Sequence, residues 1–283
     1  MRTHFMVLAA AALLATACQR GPEVTPDVVA VAGPSVPDRP DDAAWANAPE
    51  HVEKLLLQDL VEPRLMTAST PDVRVRAIAG PTEIAFRLEW DDATKDDLPG
   101  NGRFVDACAV QVPQKADPNA PDPQMGQAGK GVQIAYWRAD WQATVDGRGT
   151  ALQDLYPNAT VDHYPFEAPS REKGSAAQAQ MAKHYAPAEA AGNLRGGPRT
   201  SPVEDLVAEG PGSLSPGGGS SARGRGVRTA TGWSVVIVRP RPEGLSPTTR
   251  TEVALAVWEG ASKEAGARKM RSGWVGLSMR GAS

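Results

Sequence analysis

The 283-residue sequence has two cysteines, Cys18 and Cys108, and four histidines, His4, His51, His163 and His184. Two thiols cannot build a four-cysteine zinc site or an iron–sulfur cluster. There is no Cys-x-x-Cys-His segment, which excludes covalent haem attachment. The histidines are scattered; His163 and His184 could ligate a metal or could be ordinary hydrogen-bonded or exposed side chains. Hydrolase and nucleotide signatures are also missing: no Gly-x-Ser-x-Gly elbow, no phosphate-binding Gly-x-x-x-x-Gly-Lys loop, no His-Glu-x-x-His. A net charge of -3 argues against a nucleic-acid partner, which a basic surface would announce. Beyond residue 17 no apolar run approaches the roughly 20 residues that cross a bilayer.

What is present begins at the N-terminus. Arg2 and His4 precede the uncharged run from Phe5 to Ala17, the layout of a signal peptide with a short apolar centre. Leu14-Ala15-Thr16-Ala17-Cys18 resembles a bacterial lipobox. The expected organisation is therefore a signal peptide over 1–17, a lipidated Cys18 with a tether to residue 40, and one domain over 41–283. Lipidation of Cys18 would place the protein outside the cytoplasm and on a membrane; more than one acyl chain makes such anchoring stable, since each buried CH₂ contributes about 0.8 kcal/mol. Cys108 is then left without a disulfide partner.

The body of the chain reads as strands. Val73, Val75 and Ala77 alternate with arginines, and after Gly80-Pro81-Thr82 so do Ile84, Phe86, Leu88 and Trp90 with Ala85, Arg87 and Glu89. Period-two alternation on both sides of a turn predicts a hairpin. Further strands are expected at Val105–Val112, Val132–Trp137, Trp233–Val238, Val253–Trp258 and around Trp274–Met279. The best helical signal is Glu172–Tyr185. The fold class is all-β, a β-sandwich of many short antiparallel strands with a few short helices and long loops. Pro216–Ser221 should be a mobile surface loop without packed contacts. Asp91, Asp92, Asp96 and Asp97 form an acidic group after a strand, readable as a calcium site or as a solvated turn.

Several stretches together resemble a known family. They include Asp42-Ala43-Ala44-Trp45, Arg87-Leu88-Glu89-Trp90-Asp91-Asp92, Arg103-Phe104-Val105-Asp106, Met125-Gly126, Tyr136-Trp137-Arg138-Ala139-Asp140-Trp141-Gln142, Pro202-Val203-Glu204-Asp205-Leu206, Trp233-Ser234-Val235-Val236 and Trp258-Glu259-Gly260 with Lys269. In order and number they resemble the haem b (γ) subunits of type II DMSO-reductase-family molybdoenzymes, the group of ethylbenzene dehydrogenase, dimethylsulfide dehydrogenase, and selenate and chlorate reductases. The resemblance implies a β-sandwich that holds haem b non-covalently through a methionine and a lysine, matched here by Met125 and Lys269, with Lys263 the alternative lysine. It implies an electron-transfer subunit without a catalytic site of its own. Its partners would be a molybdopterin catalytic subunit, an iron–sulfur subunit, and a soluble cytochrome or other carrier. A haem-free carbohydrate-binding-like module, with tryptophans such as Trp90, Trp137, Trp141, Trp233, Trp258 and Trp274 as stacking surfaces, and an orphan haem-binding lipoprotein are the competing readings.

Overall fold

A computed structural model describes residues 24–159, 175–177, 180, 199–219 and 221–281. The signal peptide, Cys18, His163, His184 and most of the expected helix at Glu172–Tyr185 lie outside the described residues.

Fifteen strands run through the described residues: β1 (Val24–Thr25), β2 (Val28–Ala32), β3 (Glu50–Lys54), β4 (Leu56–Leu57), β5 (Asp72–Ala79), β6 (Glu83–Asp91), β7 (Ala107–Pro113), β8 (Val132–Arg138), β9 (Val203–Ala208), β10 (Ser215–Pro216), β11 (Arg223–Arg228), β12 (Gly232–Pro240), β13 (Thr251–Trp258), β14 (Met270–Arg271) and β15 (Val275–Arg280). The helices with described bounds are a 3-10 turn at Ala43–Asn47 and the short α1 (Ala139–Val145) and α2 (Leu152–Leu155); Ala176, Ala177 and Gln180, inside the expected helix, are also helical. The predicted all-β class holds, and the predicted hairpin is β5–β6, paired antiparallel from Arg74↔Glu89 to Ala79↔Ile84.

The strands form two sheets joined by β13. Its first residues, Thr251 to Val253, pair with β15. Ala254 to Trp258 pair with β7. The first sheet runs β15-β2-β5-β6-β12-β11, and the second β10-β9-β8-β7-β13, with β14 and β4 on its far side. Most pairings are antiparallel; β1–β3, β15–β2 and β2–β5 are parallel.

Two expectations need correction. The segment taken as a tether to residue 40 enters the fold from residue 24: β2 lies between β15 and β5, with Val28 and Ala30 buried. Its Val-Val-Ala-Val-Ala run has no polar alternation because both of its edges and much of its surface are covered, as central strands are. The Gly/Ser/Pro segment is also partly built in. Ser215–Pro216 pairs with β9, Gly217 N–H donates to the Asp205 carbonyl at 2.8 Å, and the Asp205 carboxylate accepts from the Ser221 and Ala222 amides at 2.8 and 2.7 Å. Asp205 thus supplies the anchorage that the segment's own composition cannot.

The core between the sheets is organised by tryptophan. Trp137 from the second sheet meets Trp90 and Trp233 of the first edge-on, at centroid distances of 6.3 and 5.1 Å. Gly226 on β11 leaves room for this ring: a Cβ there would stand 2.2 Å from Trp137. These three tryptophans are buried, which removes them as stacking surfaces for sugars. The outer face of the first sheet is covered by Trp45 of the 3-10 turn, packed with Ile78, Ala85, Val236 and Val238.

Candidate functional site

The second sheet carries its site on the face turned away from that core. Its strands alternate, as pleated backbones must. Cys108, Val110 and Val112 of β7 and Val253, Leu255 and Val257 of β13 point to the core. Ala107 and Ala109 of β7, Ile134 of β8, Leu206 and Ala208 of β9, and Ala256 and Trp258 of β13 make a separate cluster on the other face. Register puts them in rows: Trp258–Ala107–Arg138, then Ala256–Ala109–Tyr136, then Ala254–Gln111–Ile134–Leu206. Alanines dominate the middle of this face, so the floor is shallow and apolar.

Loops raise walls around it and enclose a cavity of about 620 Å³, within the range of about 300–1,000 Å³ typical of small-molecule sites. One wall is the loop carrying Met125. Gln111 Nε2 holds that loop by donating to the Pro123 carbonyl at 3.0 Å, Trp274 Nε1 by donating to the Pro121 carbonyl at 2.5 Å, and Gly210 N–H by donating to the Met125 carbonyl at 2.8 Å. Met125 has φ 72° and Gly126 φ 80°. A left-handed backbone is uncommon for a residue with a side chain and costs energy unless the surroundings enforce it. Here three anchored backbone positions do so, and Met125 packs partly buried against the floor cluster.

Another wall is the hairpin between β13 and β14. Met270 turns into the core, so Lys269 and Arg271 on either side turn to the cavity, and both line it. The Lys269 ammonium lies 5.0 Å from the centroid of the Trp258 ring. Burial, with the nearby positive charge of Arg271, lowers the Lys269 pKa to about 8. Desolvation disfavours the charged amine, and like charge adds to the effect. Lys263, by contrast, is exposed at the tip of the hairpin and does not line the cavity.

Met125 and Lys269, 144 positions apart in the sequence, therefore line one cavity. Other contributors were less legible. Arg138 is held by Asp140 through two bonds of 2.9 Å, with Trp141 beneath its guanidinium. Tyr136 stands edge-on to Trp258 at 5.1 Å. Glu264 is buried at the cavity wall, accepting from Ser69 Oγ at 2.5 Å and from the Glu259 amide at 3.0 Å; burial raises its pKa. The two-residue period through Lys269-Met270-Arg271 was the available signal for Arg271; nothing local marks Glu264. His51 is committed elsewhere, to the Thr25 carbonyl and Glu53.

A sandwich with a walled, mainly apolar cavity on an outer sheet face, containing one weakly basic amine, defines a ligand-holding β-module. The model of the ethylbenzene dehydrogenase family matches residues 42–270, and the chain belongs to that family. A Haloferax mediterranei protein, named as a proposed respiratory nitrate reductase heme subunit, is 32% identical over 105 residues, 37% of this chain and 38% of that one. The chain thus spans well under half of that relative's length. Among solved structures, a family 9 carbohydrate-binding module from Caldicellulosiruptor kristjanssonii in complex with cellotriose aligns over 90% of this chain and 94% of its own, at 8% identity and a TM-score of 0.41. The same module in complex with glucose gives a TM-score of 0.38.

Proposed function

We propose that this protein is a haem b electron-transfer subunit of a molybdoenzyme, with Met125 and Lys269 as the axial ligands. The observation that carries the reading is the arrival of a methionine and a half-buried, weakly basic lysine in one cavity of about 620 Å³ in a member of the ethylbenzene dehydrogenase family. The residues fit the group. The alanine floor accepts a flat apolar macrocycle, and Arg271 and Arg103 at the cavity offer positive charge to its carboxylates. When bound, haem would supply a one-electron couple at its iron.

The chain's own residues do the rest. A lysine ligates only as the neutral amine; from an ordinary value of about 10.4, deprotonation at pH 7 costs roughly 4.6 kcal/mol. A pKa near 8 removes most of that cost before any metal bond forms. The Met125 thioether would favour the reduced state of a bound haem and raise its potential, while the enclosing loops would keep water away. Met125 and Lys269 would hold the iron between them and leave no place there for a substrate, so the subunit would relay electrons and the chemistry would belong to a partner. In this reading the partners are a molybdopterin subunit with an iron–sulfur subunit on one side and a soluble cytochrome or similar carrier on the other. The lipobox-like segment supports export and attachment to a membrane through Cys18.

The test is the visible spectrum of the purified, haem-loaded chain, oxidised and reduced. A low-spin, six-coordinate spectrum is expected. Met125→Ala and Lys269→Ala should each give high-spin character or carbon monoxide binding, and Lys263→Ala should leave the spectrum unchanged. Normal low-spin spectra in both cavity variants would refute the ligand pair; failure of the wild type to bind haem would refute the function.

A further inference from the structure

The acidic residues after β6 do not behave as one turn. Asp91 pairs with Arg74 at 2.9 Å and Asp97 with Lys95 at 2.8 Å, both at the surface. Asp92 turns inward and its side chain is fully buried. There it meets Asp106, which is 0% exposed and directly precedes β7, and Glu259, which directly follows β13. One carboxylate oxygen from each lies within 4.8 Å of the others. The site gathers the ends of strands from both sheets, at the root of the hairpin that carries Lys269.

Two of the carboxylates are oriented by donors that leave lone pairs over. Asp106 accepts from the amides of Asp96 (2.8 Å) and Gly260 (2.9 Å) and from Trp233 Nε1 (3.0 Å). Glu259 accepts from the amides of Ala261 and Ser262 at 3.0 and 2.7 Å. Gly260 cannot be replaced here, because a Cβ would stand 2.4 Å from Asp96 and 2.6 Å from the Phe104 carbonyl. The third carboxylate is different. Asp92 Oδ1 accepts from the Thr94 amide at 2.8 Å, but the buried Oδ2 has no hydrogen-bond partner. The nearest cation is Arg228 Nη1 at 3.8 Å, beyond hydrogen-bond reach, and that guanidinium spends Nη2 on the Asp92 carbonyl at 2.6 Å. Burial raises the Asp92 pKa, with the neighbouring charge of Glu259 adding to it, and burial with the charge of Asp92 lifts Asp106 to about 7. Among the described residues, three converging carboxylates face one arginine, which leaves negative charge unbalanced.

We infer that Asp92, Asp106 and Glu259 form a binding site for a hard divalent cation, calcium, which fastens the root of the 259–269 hairpin to the ends of both sheets. All donors are oxygens, with no imidazole or thiolate among them, which selects calcium or magnesium over zinc or copper. Opposite ligands of calcium stand about 4.6–5.2 Å apart, whereas magnesium demands roughly 4.0–4.2 Å and near-ideal octahedral geometry. Three carboxylates that arrive on separate strand ends, each oriented by its own backbone contacts, suit calcium's flexible coordination better than magnesium's near-ideal octahedron. This inference is independent of the haem reading, and its test needs no haem.

The full chain, stripped with a chelator, is dialysed against calcium at about 1 mM, within the affinity range of extracellular modules. Metal analysis should find one equivalent per chain. Melting temperature should rise by about 3–8 °C at about ten to a hundred times Kd, and less with magnesium. Terbium used as a calcium substitute should luminesce on tryptophan excitation, since the Trp233 indole touches Asp106. Asp92→Asn preserves the shape and the Thr94 contact but should abolish uptake, the melting shift and the terbium signal; Glu259→Gln serves as a second variant should Asp92→Asn fold poorly. Wild-type protein that retains no calcium and shows no shift would overturn the site, as would variants that respond to calcium as the wild type does. In the first case the carboxylates hold a proton, and Asp92→Asn would be as stable as the wild type without metal.

Discussion

The two faces of the second sheet are built from the same strands and do opposite jobs. The inner face of β7, β8 and β13 carries valines, a cysteine, a leucine and Trp137, and meets the first sheet with no space to spare. The outer face, one residue out of phase, carries Ala107, Ala109, Ala254 and Ala256 and is covered, among the described residues, by loops that leave a cavity. Side-chain size at alternate positions thus divides stability from binding: the large side chains hold the sandwich together and the small ones make room.

That contrast can be broken by substitution, and the largest effect should come from the inner face. Trp137→Ala removes the ring against which Trp90, Trp233 and Gly226 pack and should cost about 3–5 kcal/mol in denaturant unfolding of the haem-free protein. Ala256→Phe, in the middle of the outer face, should cost less than about 1.5 kcal/mol, because it grows into open space, yet should abolish haem uptake. If Ala256→Phe destabilises as much as Trp137→Ala, the outer face is core and the division fails.

A subtler effect concerns pH. As the proposed ligand, Lys269 would have to lose its proton, so haem affinity should fall about tenfold per pH unit well below its pKa near 8, or about 50-fold between pH 8 and pH 6. A titration monitored by haem absorbance should show this slope in the wild type and lose it in Lys269→Met. The smallest effect is on the haem-free chain. Its folded lysine has the depressed pKa, so the unfolded chain holds the extra proton between about pH 8 and 10.4, and stability should rise with pH through that window. Lys269→Met should be flat there, and an equal slope in both would mean that another group titrates.

Much of this architecture was legible in one dimension. Alternation located β5, β6, β7, β8, β12, β13 and β15, because a half-buried strand writes its environment into every second residue. It failed for β2, whose Val-Val-Ala-Val-Ala run looks like an unstructured linker until its neighbours cover it, and for the Gly/Ser/Pro segment, whose order comes from Asp205 on another strand. The resemblance supplied Met125 and Lys269 as a pair, and the lone lysine gave no other sign: beside Arg268 and Arg271 it reads as a solvated basic patch.

What the sequence determined by itself was the class of fold, the family and the chemical types at the site, since these depend on period, composition and short ordered segments. Tertiary structure decided which of two lysines in one hairpin faces the cavity, because the pleat that sends Met270 into the core sends its neighbours out. It also decided that Asp92 leaves its surface companions to join Asp106 and Glu259, because strand ends distant in sequence become adjacent only when two sheets close on each other. Charge, burial and pKa are properties of that closure, and no single segment contains them.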